Sequence, residues 1–213
     1  SWGREWGKVG VGGGQACALP AGLSYVEIAA AGKHTVARRS DGSVVGWGDN
    51  ANGQCNVPAL PPGLSYVEVA AGEKHSLARR SDGSVVAWGS NGFGQCNVPA
   101  LPAGLSYVEV AAGYAHSLAR RSDGSAVAFG VNDVPALPVG LSYVEVAAGN
   151  SHSAARRSDG SVVAWGSNLF GQCNVPTLPA GLSFVEVDAG GEHTLARISD
   201  GSVLAWGGNE SGQ

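Results

Sequence analysis

A segment of about twenty residues occurs five times in this chain with few changes, and this repetition limits what the chain can fold into. One copy reads "AAGYAHSLARRSDGSAVAFG" at residues 111–130. Its histidine recurs with spacings of 41, 41, 36 and 41 residues, at His34, His75, His116, His152 and His193. The short interval arises because "WGSNGFGQCNVPALP" becomes "FGVNDVPALP" in the next copy. Copies this similar predict one structural unit that stacks on itself.

Each copy predicts four short strands, which we label A to D. "YVEVAAG" carries β-branched residues at alternate positions, and "HSLARRS" and "SVVAWG" flank an Asp-Gly hairpin signal. "GQCNVP" is the fourth strand, and "ALPAGLS" is a Pro/Gly connector to the next copy. We expect almost no helix because no apolar stripe with a 3.6-residue period occurs.

Four short strands in about 41 residues match the size of a propeller blade. We therefore predict an all-β chain that forms a β-propeller of about five four-stranded antiparallel blades in a single domain, residues 1–213; a β-solenoid or sandwich is the alternative. The predicted repeats are 24–57, 65–98, 106–134, 142–175 and 183–213.

Closure of the ring is predicted from the two ends of the chain. The last copy stops at "WGGNESGQ", before its fourth strand, and "GQACALP" offers that strand. Residues 14–20 are thus the predicted closing strand. If the ring is not closed, two chains that exchange strands would form a homo-oligomer. The shortened copy, 106–134, should have a clipped loop between strands C and D and a weak or absent outer strand.

Composition excludes several classes of partner. A net charge of −4 gives no general attraction to nucleic acid or to an anionic membrane, and we expect neither as a partner. No apolar run is long enough to span a bilayer, and no signal peptide is recognisable. The sequence contains no Met, which suggests a processed product or an excised piece. Both a secreted and a cytoplasmic bacterial location are left open.

Repeated polar residues receive structural interpretations. The histidines are equivalent residues of different blades, so we expect no shared metal ion and no cofactor, and predict histidines pinned by hydrogen bonds at the start of strand B. Equivalent positions also argue against disulfides, and we interpret the cysteines as small buried hydrophobic residues, at Cys17, Cys55, Cys96 and Cys173.

No enzymatic activity is predicted. Catalysis needs different groups with separated pKa values in one pocket, whereas this chain presents the same residues five times. The repeated aspartates have a turn role, as in "SDGS". The adjacent Arg pairs, such as Arg38-Arg39, are interpreted as solvated strand ends balanced by Asp; a basic rim for an acidic partner is the alternative. The repeated Trp-Gly residues are predicted to pack between neighbouring blades, through Trp47, Trp88, Phe129, Trp165 and Trp206.

The repeat "VAAGxxHSLARRSDGSVVAWGSNxxGQ" resembles that of the regulator-of-chromosome-condensation superfamily. Its short form is most similar to the propeller-type β-lactamase inhibitors within it, which are secreted bacterial proteins. The resemblance covers nearly the whole chain from about Gly14, and it implies a propeller that binds protein partners with aromatic loop residues. The family usually has seven blades, whereas this chain has five copies. No insertion breaks the repeats to supply the nucleotide-exchange activity of the eukaryotic namesake.

Two pairs of residues vary between otherwise constant copies, one in the A–B loop and one in the C–D loop. Strands alternate in direction, so both loops should lie on the same face of the disc. Binding usually resides in loops on a rigid scaffold, and exposed aromatics are typical anchors. We therefore predict a non-enzymatic module that binds an unidentified protein partner through Lys33, Glu73, Lys74, Phe93, Tyr114, Asn150, Leu169, Phe170 and Glu192.

Two other functions are left open. A lectin-like propeller would bind glycans through its constant residues at about five equivalent sites. An engineered or excised symmetric scaffold would have no ligand of its own.

Overall fold

The computed structural model describes residues 19–209, which form fifteen strands in five three-stranded antiparallel sheets. We call the sheets blades 1 to 5 in chain order. Blades 1 and 2 are β1 Tyr25–Ala31, β2 His34–Arg39, β3 Val44–Gly48, and β4 Tyr66–Ala71, β5 His75–Arg80, β6 Val85–Gly89. Blades 3 and 4 are β7 Tyr107–Ala112, β8 His116–Arg121, β9 Ala126–Gly130, and β10 Tyr143–Ala148, β11 His152–Arg157, β12 Val162–Gly166. Blade 5 is β13 Phe184–Ala189, β14 His193–Ile198, β15 Val203–Gly207. No helix in this part of the chain is long and apolar enough to cross a membrane.

The Asp-Gly hairpin has a three-residue loop. In blade 1, the Arg39 N–H donates to Ser43 O at 2.8 Å, and Gly42 has a φ of 80°. This geometry, a turn followed by a left-handed glycine, explains why glycine occupies the position. Asp41 Oδ1 accepts the N–H of Ser43 at 2.9 Å and its hydroxyl at 2.7 Å, which confirms the predicted turn role of Asp.

A β-bulge interrupts the alternation of the first strand in each blade. In β4 the register shifts between Tyr66 and Glu68, so the buried residues are Tyr66 and Val69, three positions apart. The extra residue turns both side chains toward the preceding blade. A strictly alternating strand would instead direct them to opposite faces of the sheet.

The predicted fourth strand is wrong for the described residues, because segments 53–58, 94–99 and 171–176 form turns followed by extended chain without a strand ladder. The backbone donors of these segments are used locally. Asn56 N–H donates to Gly53 O, Cys55 N–H donates to Asn50 Oδ1, and Val57 N–H donates to Cys55 O. Pro58 has no N–H to offer. In the shortened copy, the C–D loop is clipped as predicted, and it also lacks an outer strand.

Neighbouring blades pack through four apolar clusters. Between blades 1 and 2, Val36 and Val44 contact Tyr66 and Trp88. The Trp88 indole N–H also donates to Gln54 O of blade 1 at 2.8 Å. The predicted packing of the Trp-slot residues between blades is confirmed for those that follow another described blade: Trp88, Phe129, Trp165 and Trp206.

Buried polar bonds join the same blades. His75 Nε2 lies 2.9 Å from Ser117 Oγ of the next blade, and that hydroxyl donates to Gln95 O at 2.9 Å. Because the serine proton is used on Gln95, Nε2 of the histidine is the donor to serine. The bond recurs from His34, His116 and His152. The prediction of histidines pinned by hydrogen bonds is therefore confirmed.

The outer surfaces of blade 1 and blade 5, the two ends of the series of blades, are exposed. No bond joins His193 of blade 5 to Thr35 of blade 1 among the residues described. Ile28 at the front of blade 1 is 65% exposed, whereas its equivalents are buried, and Val203 at the back of blade 5 is 62% exposed. Described blades 1 and 5 therefore share no packed interface. The predicted closing segment, 14–20, lies almost wholly outside the described residues, and closure through it stays a prediction.

Candidate interaction surface

The variable loops of each blade lie together on one face, which we call the variable face. In every blade, the residue after strand C donates its N–H to the second residue of the variable A–B pair. These bonds are Asp49 to Lys33, Ser90 to Lys74, Val131 to Ala115, Ser167 to Ser151, and Gly208 to Glu192. The A–B and C–D loops are therefore tied to each other at one end of each blade.

Constant residues fix the position of the A–B loop. A Cβ on Gly72 or Gly113 would overlap the imidazole ring of the histidine three residues later. The N–H of the first variable residue then bonds to the next blade, as from Glu73 to Gly113 O and from Tyr114 to Asn150 O, both at 3.2 Å. The backbone that carries the variable side chains is therefore fixed by packing against the histidine of its own blade and by a hydrogen bond to the next blade.

An axial cavity of about 260 Å³ opens on the variable face. All five blades line it, mainly with alanines and glycines from the ends of their first strands, together with Glu73 and Asn150. The accessible lining is nevertheless more polar than apolar, and Glu73 and Asn150 add one carboxylate and one amide to it.

A second cavity, of about 240 Å³, lies over blades 4 and 5, and we call it the Tyr114 pocket. Its lining includes Tyr114, Asn150, Leu169, Phe170 and Glu192. These residues come from the A–B loops of three successive blades and from one C–D loop. Leu169 is 87% exposed, Tyr114 is 46% exposed and Phe170 is 41% exposed.

Five of the nine predicted partner-binding residues therefore meet in one pocket. The other four do not line it. Glu73 lines the axial cavity, and Phe93, 60% exposed, lies on the C–D loop of blade 2. Lys33 and Lys74 are exposed on blades 1 and 2 and line neither cavity.

The loop that precedes blade 4 is five residues shorter than the equivalent loops. In blade 3, Ala115 is buried, because the loop of blade 2 lies against that part of blade 3. A Cβ on Gly130 would lie 3.2 Å from Gln95 Cα of that loop. The equivalent residue in blade 4, Ser151, is exposed and lines the Tyr114 pocket. Asn132 Nδ2 of the shortened loop donates to Ser151 O at 3.1 Å, so this loop still holds the backbone beside the pocket.

Sequence reasoning missed Ser167, Gln172 and Gly191, which complete the lining. Gln172 and its equivalents are constant, so variation could not reveal it. Gly191 is the first residue of the variable A–B pair in blade 5, but a glycine gives no signal for binding. A Cβ on Gly191 would lie 3.4 Å from Asn150 Nδ2, so Gly191 stands next to Asn150 in the lining.

The buried histidines are scaffold groups. Burial lowers the pKa of His75 and of His116 to about 4, and neighbouring histidines add to the effect. Both rings are therefore neutral at pH 7 and inaccessible. In the described part of the chain, no three His, Cys, Asp or Glu side chains are grouped as metal ligands. Cys55, Cys96 and Cys173 are free thiols, and burial raises the pKa of Cys96 to about 11.

On the face opposite to the variable face, the arginines are not the solvated strand ends balanced by Asp that the sequence predicts. The first arginine of each pair bonds to a glutamate of strand A rather than to the turn aspartate, as in Arg79 Nε to Glu68 Oε2 at 2.7 Å. Glu68 Oε1 also accepts the Val110 N–H of the next blade at 3.1 Å. The pairs in blades 1 to 4 are half-buried, so they belong to the interface between blades.

Repeated antiparallel sheets that pack side by side and line one axial cavity define the chain as a β-propeller repeat protein. The family model of the regulator of chromosome condensation (RCC1) repeat matches residues 25–54, 66–95, 107–134, 143–172 and 184–213. The chain therefore belongs to the RCC1 repeat family, and the predicted resemblance to that superfamily is confirmed.

Solved structures support the same fold. The chain matches the structure of Kap60 bound to yeast RCC1 (Prp20) with a TM-score of 0.74 and 22% identity, over 89% of this chain and 57% of that chain. The structure of human WBSCR16 matches with a TM-score of 0.74 and 19% identity, over 86% of this chain and 62% of that chain. The structure of Prp20p from Saccharomyces cerevisiae matches with a TM-score of 0.71 and 26% identity, over 84% of this chain and 56% of that chain. The chain thus spans less than two thirds of the length of each of these structures. A comparison with curated protein sequences gives no match.

Proposed function

We propose that the chain is a non-enzymatic module that binds a protein partner through the variable face. The observation that carries this proposal is the distribution of exposed large apolar side chains. Away from the two end blades' outer surfaces, they are concentrated on the variable face, at Phe93, Tyr114, Val131, Leu169 and Phe170. Exposed aromatic and aliphatic groups on held loops are typical of protein interfaces.

The relatives support a protein partner as the class of ligand. Yeast RCC1 was solved bound to Kap60, and Prp20p is described with binding properties toward Gsp1p and histones. We transfer only the class of partner to this chain, because the sequence identities are low and the chain spans only part of those proteins.

The burial of the constant residues argues against a lectin-like propeller that binds glycans. A lectin with equivalent sites would use constant polar and aromatic groups, but His75, His116 and His152 have no exposed surface. Trp88 and Phe129 are also buried between blades. Few constant groups are thus available on the surface for sugar stacking.

The proposal is tested by selecting binders for the full chain from a displayed library of protein fragments from the source organism. Affinity for the selected fragment is then measured with Tyr114→Ala and Phe170→Ala, and with Val139→Ala as the matched control. Val139 is fully exposed on a connector of the opposite face, so truncation there removes similar exposed apolar surface. Each of the first two variants should bind about 5- to 30-fold more weakly, as for interface anchors, and the control should match the original chain. Binders that tolerate both aromatic variants, or that lose affinity with Val139→Ala, would place the interface elsewhere.

A further inference from the structure

The Tyr114 pocket has a charged corner beside its aromatic wall. A Cβ placed on Gly208 would lie 3.3 Å from Glu192 Cβ and 3.7 Å from Phe170 Cβ. The side chains of Glu192 and Phe170 therefore both start next to a residue that has no side chain. The equivalent positions in the other blades hold Asp49, Ser90, Val131 and Ser167, so only blade 5 leaves this space open.

The carboxylate of Glu192 has no cationic partner within the described part of the chain. The ion pairs there join arginines and glutamates of strands A and B, as in Arg156 with Glu145. Glu192 occupies the position held by lysine in blades 1 and 2, at Lys33 and Lys74. The lysines of the variable face thus lie on blades 1 and 2, whereas the pocket over blades 4 and 5 is lined by one acid and no base.

We propose that the Tyr114 pocket binds an arginine side chain of the protein partner. This proposal rests on the proposed function and adds the chemistry of the group that is recognised. A guanidinium stacks on aromatic faces, here Tyr114 and Phe170, and its fork of N–H donors matches the Glu192 carboxylate. The Asn150 amide oxygen at the same rim is a further acceptor.

Size and charge both favour this occupant. A volume of about 240 Å³ exceeds the space of a few water molecules, at about 30 Å³ each, and suits a long side chain. An acidic or phosphorylated group would face the Glu192 carboxylate without a compensating base in the lining. A purely apolar side chain would leave that carboxylate partly desolvated without a partner.

The test uses the full chain and three synthetic pentapeptides that differ at one residue: acetyl-Gly-Ser-Arg-Ser-Gly-amide and its lysine and citrulline analogues. Citrulline has the shape of arginine without its charge. Binding is followed by the NMR shifts of backbone amides in a titration at low salt. We expect saturable shifts at Tyr114, Glu192 and Gly208, with the arginine peptide bound about tenfold more tightly than the citrulline peptide. The lysine peptide should bind with intermediate affinity.

The matched variants are Glu192→Gln and Glu73→Gln, which remove one acid each from the same face, inside and outside the pocket. Glu192→Gln should abolish the preference for arginine over citrulline, and Glu73→Gln should leave it unchanged. Equal affinity for arginine and citrulline, shifts at other residues, or no saturable binding of the arginine peptide would overturn the proposal. If a selected partner depends on Tyr114 and Phe170 but arginine is not preferred, the proposed function stands and the arginine assignment fails.

Discussion

Acidification from pH 7 to pH 5 should destabilise this propeller, because its interfaces bury neutral histidines. Burial holds the pKa of His75 and His116 at about 4, whereas an unfolded chain binds these protons at about pH 6.5. The folded pKa is lowered, so the stabilisation is fully present above pH 6.5 and is lost as pH falls toward 4. Burial also lowers the pKa of His34 and His152, which act in the same direction.

The magnitude follows from linkage. Between pH 7 and pH 5, the unfolded chain takes up about 0.7 of a proton at each histidine, whereas the folded chain takes up almost none. Each of His75 and His116 therefore removes about 2 kcal/mol from the free energy of unfolding, or about 4 kcal/mol together. This is a large part of the roughly 5–15 kcal/mol that is typical of folded domains.

The carboxylates with shifted pKa values do not add to this loss. Hydrogen bonds from Ser84 lower the pKa of Asp82, so its stabilisation is lost only as pH falls below the ordinary range for aspartate. Burial raises the pKa of Glu109, and protonation of this group therefore favours the folded state as pH falls. The expected net loss at pH 5 thus comes from the histidines.

Urea denaturation at pH 7, 6 and 5 measures the loss, and NMR titration of the imidazole carbons measures each pKa directly. The double variant His75→Gln/His116→Gln keeps a donor at each position without a titrating group, and its stability should depend less on pH. Ring signals of His75 and His116 that titrate near pH 6.5, or a free energy of unfolding that is constant from pH 7 to 5, would refute the reasoning. The ring titration applies even if the double variant does not fold.

Other substitutions separate interface groups from their exposed equivalents. Glu68→Gln should cost about 1.5–3 kcal/mol in urea denaturation, because Glu68 is a half-buried carboxylate bonded to the N–H of Val110. The same change at Glu186, which is exposed in blade 5, should cost less than about 1 kcal/mol, and equal costs would contradict the assigned role. Trp88→Ala should cost about 3–5 kcal/mol, and a near-neutral result would show that Trp88 is not an interface residue. The Cys96 thiol should react with iodoacetamide at pH 8 much more slowly than a free cysteine, because burial raises its pKa to about 11.

The fold was predictable where the determinants are local. Alternating residues, the Asp-Gly turn and the fixed repeat length identify the first three strands of each blade, and strand direction alone places both variable loops on one face. The absence of the fourth strand was not predictable in this way, because it depends on Asn50 and Gly53, which accept hydrogen bonds from the N–H groups of that segment in a turn. The role of the strand A glutamates was also hidden, since Glu68 reaches a backbone N–H in the next blade, 42 residues away.

The candidate site was predictable as a set of exposed loops but not as a pocket. Variation between copies identified Tyr114, Asn150, Leu169, Phe170 and Glu192 one loop at a time. Their convergence depends on how successive blades pack against one another. This packing cannot be read from any single repeat, because it arises from contacts between repeats.

The bonds between blades have a consequence for how such genes change in length. Blades 1 to 3 each carry a histidine and a glutamate that bond to a hydroxyl and a backbone N–H of the next blade. Unequal recombination that duplicates or removes a whole repeat therefore brings together two blades whose interface residues can already form these hydrogen bonds. The shortened copy still forms both bonds, from His116 to Ser153 and from Glu109 to Val146, so loop length varies without loss of this match. Each added unit also brings one more pair of changeable loops to the same face, so a binding surface of this kind can be widened by a single genetic event.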